Sequence, residues 1–109
     1  MIRNTYGRKL WSFPGGGIRG EETAEDAVKR ETMEEVGIRI ENPQEIGIFT
    51  SQLEFKRDTV TVFKADALSR NLKIDPIEIL EAEWFSPDNL PIVSGYAKKI
   101  MSMWNNKEV

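Results

Sequence analysis

The 109-residue chain contains neither cysteine nor histidine. Without cysteine there are no disulfides, no thiolate nucleophile and no thiolate-bound metal. Without histidine, a Ser-His-Asp triad, imidazole-bound zinc and the commonest general base are all excluded. Long apolar runs are missing too. None approaches the ~18 residues of a membrane span, and Met1–Phe13 lacks the apolar stretch of a signal peptide, so the chain is expected to work in the cytoplasm. Nor is there a basic excess. The 15 Lys and Arg against 18 Asp and Glu give a formal net charge of −3, which argues against broad, charge-driven nucleic-acid binding. What remains for chemistry is carboxylates, lysines, hydroxyls or a metal held by oxygen.

About a quarter of the residues are Ile, Leu, Val or Phe, enough for one modest core, and the length suits a single domain over residues 1–109. Arg8–Phe13 alternates like a strand and is stopped by Pro14 and three glycines. Thr23 followed by Asp26 three residues on reads as a capping box, predicting a helix from Ala24 to about Val36 that Gly37 ends. Ile38 and Ile40 open a short strand. Glu45–Phe55 and Thr59–Ala67 read as a hairpin turning at Lys56–Asp58, with a bulge between Ile48 and Phe49 where the alternation shifts phase. Ser69–Pro76 reads as a loop, Glu81–Phe85 as a strand and Ser86–Asn89 as a turn. A closing helix over Val93–Asn105 carries Tyr96, Ile100 and Trp104 as a core-facing stripe. Strands with one helix among them and one at the end indicate an α/β or α+β sandwich.

Charge is unevenly spread. From Met1 to Arg19 every ionised side chain is basic, whereas Gly20–Glu45 holds nine acids against three bases. At about 100° per residue, Glu31, Glu34 and Glu35 share the small, apolar face of the first helix with Ala27 and Val28, while Asp26, Lys29 and Arg30 lie on the far side. Like charges three or four apart repel, and partial burial makes an unpaired carboxylate far more costly. A merely solvated acidic face would point the other way, so a cation is expected between these glutamates. All-oxygen ligation selects a hard ion, Mg²⁺ or Mn²⁺, and Mg²⁺ commonly works with a few carboxylates plus substrate phosphates. Calcium fits less well, because ligands at the alternate positions of its usual loop sites are absent. The Gly15-Gly16-Gly17 loop ahead of the helix allows close backbone approach to a ligand, although such a run is as often a simple turn.

The segment Gly16-x5-Glu22-x7-Arg30-Glu31-Thr32-x-Glu34-Glu35-x-Gly37-Ile38 resembles the Nudix box of the Nudix hydrolases. Chance agreement at its seven fixed Gly, Glu and Arg positions is roughly one in 10⁷ per register. Leu10–Gly17 resembles that family's approach to the box, and Pro76–Pro91 its downstream segment. Thr32 departs from the usual aliphatic residue. The resemblance implies a Nudix-like α/β/α sandwich with a mixed sheet, here N-terminally shortened, because only Met1–Arg3 stands ahead of the first loop. An uncovered sheet edge left that way predicts a homodimer or poor solubility.

The same resemblance implies water attack on a diphosphate linkage in a nucleoside diphosphate derivative, with Mg²⁺ or Mn²⁺ as cofactor. Glu31, Glu34, Glu35 and the Gly16 carbonyl are then the metal ligands. Arg30 braces the carboxylates, Glu31 first, and Glu22 is a structural or outer contact. An acid from a later loop, Glu78 ahead of Asp75, is the candidate base or extra ligand, against an ordinary surface acid. Arg8, Lys9, Arg19, Gly15 and Gly17 are candidates for the substrate phosphates, although basic residues flanking a loop are more often simply solvated. Trp11, Phe13 and Trp84 are either base-stacking or, more in keeping with their surroundings, core residues. No SQPWPFP-like, proline or tyrosine signature of the NADH, ADP-ribose or dinucleoside polyphosphate subgroups is evident, so the substrate stays unnamed. The rival reading is a catalytically silent nucleotide-binding module, and the intact Glu31, Glu34 and Glu35 speak against it.

Overall fold

A computed structural model describes residues 1–7, 9–53 and 56–107. The elements run β1 (Ile2–Asn4), α1 (Ala24–Val36), β2 (Ile40–Leu53), β3 (Lys56–Ala67), β4 (Ile79–Ala82) and α2 (Gly95–Lys107). Helix α1 begins and ends where the sequence signals it. The Thr23 hydroxyl accepts from Asp26 N, and the Asp26 carboxylate accepts from Thr23 N, which closes the capping box. At the other end Gly37 takes φ 70°, a left-handed conformation costly to other residues, and returns its N–H to the Met33 carbonyl at 3.0 Å. Thr32, the polar departure inside the helix, donates its hydroxyl to Val28 O at 2.6 Å and so leaves no orphaned group.

Two antiparallel pairs carry the strands, β1 with β4 and β2 with β3. An isolated parallel bridge joins Trp11 to Val93, and an antiparallel one joins Ile2 to Ser12. Of the strand expected over Arg8–Phe13, Arg8 lies outside the described residues and the rest shrinks to these single bridges, with Pro14 and the glycines beyond it offering no continuous ladder. The β2–β3 pairing runs on to Leu53↔Lys56, so Lys56–Asp58, expected as the turn, belongs to the ladder. The register shifts fall between Glu41 and Gln44 and between Glu45 and Gly47, slightly before the expected bulge. Strand β4 starts at Ile79 and ends at Ala82, earlier at both ends than the Glu81–Phe85 expected, because Ile79 and Ala82 are the residues opposite Asn4 and Ile2. Ile2 is bonded on one side to Ser12 and paired on the other with Ala82, which covers the edge that the sequence leaves open there.

The core centres on Ile2, Val36, Ile38 and Ile79, with Ile40, Leu72, Ile74 and Ala82 packed around them. The C-terminal end of α1 is thereby locked to β1 and β4. Two backbone bonds reinforce that junction, Lys73 N to Val36 O at 2.8 Å and Asp75 N to Glu35 O at 3.2 Å. Helix α2 is capped by Ser94, whose hydroxyl accepts from Ala97 N at 3.0 Å, and it packs on β2 through an edge-to-face contact of Tyr96 with Phe49. Ala97 is its most buried residue, with Tyr96, Ile100 and Trp104 only partly covered. Among the described residues no helix is long and apolar enough to cross a membrane.

Candidate active site

The site is built by docking the glycine loop onto one face of α1. The loop is anchored at its start, where Ser12 exchanges two 2.8 Å backbone bonds with Ile2 and the Trp11 carbonyl accepts from Ser94 N. Each of the three glycines then meets one side chain of the helix. Gly15 N donates to Glu35 Oε1 at 2.8 Å. A Cβ on Gly16 would stand 2.5 Å from Glu31 Cδ and 2.6 Å from its Oε1, so only glycine lets the carboxylate lie against this backbone. The Gly17 carbonyl accepts from Arg30 Nη2 at 2.9 Å.

Arg30 is the electrostatic hub. Its Nε and Nη2 grip Glu22 through both oxygens, at 2.6 and 2.9 Å, while Nη1 reaches Glu31 at 2.8 Å and Glu34 at 3.3 Å. The helical wheel puts Arg30 on the far face, yet its long side chain swings round to the acidic one. Its first partner is Glu22 and not Glu31, because a two-pronged carboxylate pair matches the guanidinium fork. Glu22, also bonded to Arg19 N at 2.9 Å, is held down at about 2 by the Arg30 hydrogen bonds first and the Arg19 amide second. Glu22 is therefore a brace that orients Arg30.

Glu35 is the buried member, 6% exposed. Loss of water pushes its carboxyl up to about 7, the Gly15 N–H pulls the other way, and the charges of Glu31, Glu78 and Glu34 add to the rise. Glu31 is nearly covered, its side chain 13% exposed, whereas Glu34 at 47% stands at the rim, with Arg19 Nη1 3.8 Å away. Glu78 sits in the exposed turn before β4, close enough for its charge to act on Glu35. Asp75 is otherwise engaged, its Oδ1 accepting from Ile77 N at 3.0 Å. The structure thus gathers Glu31, Glu34, Glu35, Glu78, Arg30, Arg19 and the glycine loop. Lys9 is exposed, and Arg8 lies outside the described residues.

Among the described residues no three carboxylates converge on one point closely enough to hold an ion. Glu31 and Glu34 turn to Arg30, and Glu35 turns to Gly15. A hard cation nevertheless fits this donor set. Glu31, Glu34 and Glu35 are oxygen donors within little more than one turn of one helix, a backbone with no side chain faces one of them, and the buried carboxyl stands among the charges of three other acids.

Two of the three aromatic candidates are engaged in contacts of their own. Trp11 packs edge-to-face on Phe85, 4.9 Å between centroids, with the Arg3 guanidinium 5.8 Å from its ring. Trp84 donates its indole N–H to Arg70 O and is covered by that arginine at 4.7 Å, and Phe13 is half-buried. Sequence reasoning passed over Tyr6, whose phenol is raised by partial burial first and then by the charges of Glu35, Glu78 and Glu31. No local pattern marks it, because its place depends on the β1–β4 pairing.

A family model described as the NUDIX domain matches residues 1–103. The chain belongs to the Nudix hydrolase family and has its α/β fold. Over 79 residues, 72% of this chain, it is 44% identical to a protein named NAD-capped RNA hydrolase NudC from Shigella dysenteriae serotype 1. It is 42% identical to the protein of that name from Escherichia coli O9:H4, and each match covers only 30% of the relative's length. A MutT NUDIX hydrolase from Burkholderia pseudomallei superposes with a TM-score of 0.82 at 26% identity, over 94% of this chain and 84% of that one. The MutT protein from Methanosarcina mazei Go1 shares the fold, with a TM-score of 0.83 at 23% identity over 98% and 82% of the two chains.

Proposed function

We propose that this chain is a cytoplasmic, divalent-metal-dependent pyrophosphohydrolase that cleaves the diphosphate linkage of a nucleoside diphosphate derivative. The observation that carries the reading is the docking of the glycine loop on α1, which sets Gly16 against Glu31 and Gly15 against a buried Glu35. Glu31, Glu34, Glu35 and the Gly16 carbonyl would hold Mg²⁺ or Mn²⁺. Bound there, the ion supplies charge neutralisation of the diphosphate and acidification of water.

The chain's own residues do the rest. Glu78, exposed beside Glu35, accepts the proton of the attacking water as its oxygen bonds to phosphorus and the bridging P–O bond breaks. Arg30 fixes Glu31 and Glu34 while Glu22 fixes Arg30, so the acids are oriented before substrate arrives. Arg19, two-thirds exposed at the rim, meets the outer phosphate, with Arg8 and the Gly15 and Gly17 backbone as its partners in that task. Relatives named NAD-capped RNA hydrolase are a reason to put NAD-capped RNA in the substrate panel. The absence of a subgroup signature keeps nucleoside triphosphates, ADP-ribose and nucleotide sugars beside it. Association of two chains belongs to the same reading. With Ile2 covered on both sides, it would use the outer edges of β2 and β3, which pair only with each other among the described residues.

The test is a chromatographic panel with Mg²⁺, wild type beside Glu35→Gln. Cleavage at a diphosphate bond by wild type alone is the expected result. Silence across the panel from a cooperatively melting protein would shift the reading to a nucleotide-binding module.

A further inference from the structure

Most of the large rings among the described residues are packed or covered, and the exposed ones stand out by contrast. Tyr6 is 67% exposed, and the next, Trp84, is 40% exposed beneath Arg70. Tyr6 is thus the ring most open to water among the described residues, and it stands at the edge of the charged site. The position of Tyr6 is fixed from one side by its neighbour. Thr5 N donates to Glu78 O at 3.0 Å, and the Thr5 hydroxyl donates to Ile77 O at 2.8 Å. The turn that presents Glu78 is in turn tied to α1 through the bond from Asp75 N to Glu35 O. Tyr6 is thus carried on the same backbone junction that carries Glu78 and Glu35. The electrostatic environment agrees, since the charges that act on its phenol are those of Glu35, Glu78 and Glu31. Ile77, beside Glu78 in the chain, is 82% exposed, so the acidic site has an apolar margin here.

We propose that Tyr6 is the platform on which the planar base of the substrate stacks while its diphosphate occupies the carboxylate site. This rests on the nucleotide reading above and deepens it, by assigning a specificity residue outside the Nudix box. A nucleotide has two chemically unlike ends. The box supplies groups for the charged end only, and Trp11 and Trp84, the indoles considered for the other end, are occupied. Stacking tolerates any base, so Tyr6 favours nucleotides over bare diphosphates without choosing among bases. The ring, and not the hydroxyl, does this work.

The experiment is calorimetric binding in Mg²⁺ of α,β-methylene ADP, whose P–C–P bridge resists hydrolysis, with methylenediphosphonate as the base-free control. Wild type, Tyr6→Phe and Tyr6→Ala are compared. Tyr6→Ala should weaken binding of the nucleotide analogue about five- to hundredfold, the usual worth of one base–aromatic stack, and Tyr6→Phe should bind within about twofold of wild type. Binding of methylenediphosphonate should be the same in all three. Unchanged nucleotide binding in Tyr6→Ala, an equal loss for methylenediphosphonate, or no binding of the nucleotide analogue to wild type would each overturn the assignment. Hydrolysis is scored separately, so Tyr6-dependent binding in a protein that cleaves nothing would sink the pyrophosphohydrolase reading and keep this one.

Discussion

Glu35→Gln should abolish turnover and, in the metal-free protein at neutral pH, raise stability. The wild-type carboxyl is pushed from its ordinary 4.5 up to about 7, chiefly by burial and then by Glu31, Glu78 and Glu34. It binds its proton more tightly folded than unfolded. Its contribution to stability is therefore fully present below about pH 4.5 and is lost as pH rises through about 7. At about 1.4 kcal/mol per pH unit the whole shift would be worth ~3 kcal/mol, and partial access to water cuts this to about 1–2 kcal/mol. Glutamine keeps an oxygen to accept the Gly15 N–H but carries no charge. Metal-free Glu35→Gln should melt roughly 5–10 °C above wild type at pH 8. That gap should close by about pH 5, where wild-type Glu35 is protonated. Added Mg²⁺ should raise the wild-type melting temperature and leave the variant unmoved. Differential scanning calorimetry at both pH values, with and without Mg²⁺, checks all of this. A variant that melts below wild type at pH 8, or that keeps its turnover, would refute the view of Glu35 as a buried carboxyl held in wait for a cation.

Gly16→Ala should cost about a hundredfold or more in turnover, since its Cβ evicts the Glu31 carboxylate, and a misplacement near 1 Å is enough for that. Because that carboxylate is the far end of a flexible side chain, the melting temperature should fall by only a few degrees, and a collapse of the fold would show that the backbone had moved instead. Arg30→Lys should lower both melting temperature and turnover, since an ammonium cannot grip Glu22 with two bonds while reaching Glu31 and the Gly17 carbonyl; kinetics and melting at several salt concentrations check it. Glu22 gives the opposite pH sign to Glu35. Its carboxyl is depressed to about 2, so its support is present above about pH 4.5 and is lost as pH falls through 2, and Glu22→Gln should narrow the acid side of the stability profile.

What the sequence revealed of this molecule depended on whether the determining signal was local. Helix α1 was readable to the residue because Thr23, Asp26 and Gly37 close its ends through contacts with their own neighbours. The two arms of the hairpin were readable from alternation, but their turning point was not, because ladder bonds extend the pairing to Leu53↔Lys56 past the apparent end of the pattern. Arg8–Phe13 alternates as a strand should, yet among its described residues only Trp11 and Ser12 form strand bridges, to different segments. In the site, the box residues were legible as a set while their geometry was not. A helical wheel fixes where a Cα lies, and Arg30 has a side chain long enough to leave its own face for Glu22 and Gly17. Tyr6 was invisible for the same reason on a larger scale. Its place comes from Thr5 meeting Ile77 and Glu78, more than seventy residues away in the chain.

The charge of the site constrains the order in which its ligands arrive. Five carboxylates, Glu22, Glu31, Glu34, Glu35 and Glu78, face two guanidiniums, Arg30 and Arg19. That leaves three negative charges if all are ionised, and Glu35 relieves part of the strain by keeping a proton near neutral pH. A diphosphate alone would add its own negative charge and meet repulsion from the very residues proposed to hold the ion. A divalent cation alone would meet a site whose acids are already engaged with Arg30 and Gly15. Each ligand therefore removes the obstacle to the other, and their binding must be coupled and reciprocal. The affinity for the nucleotide should rise with Mg²⁺, and the affinity for Mg²⁺ should rise by the same factor with nucleotide, measured with a non-hydrolysable analogue. Equal nucleotide affinity with and without the ion would mean that Arg19 and Arg30 suffice to hold the phosphates, and that the acidic face of α1 has some purpose other than the one argued for it.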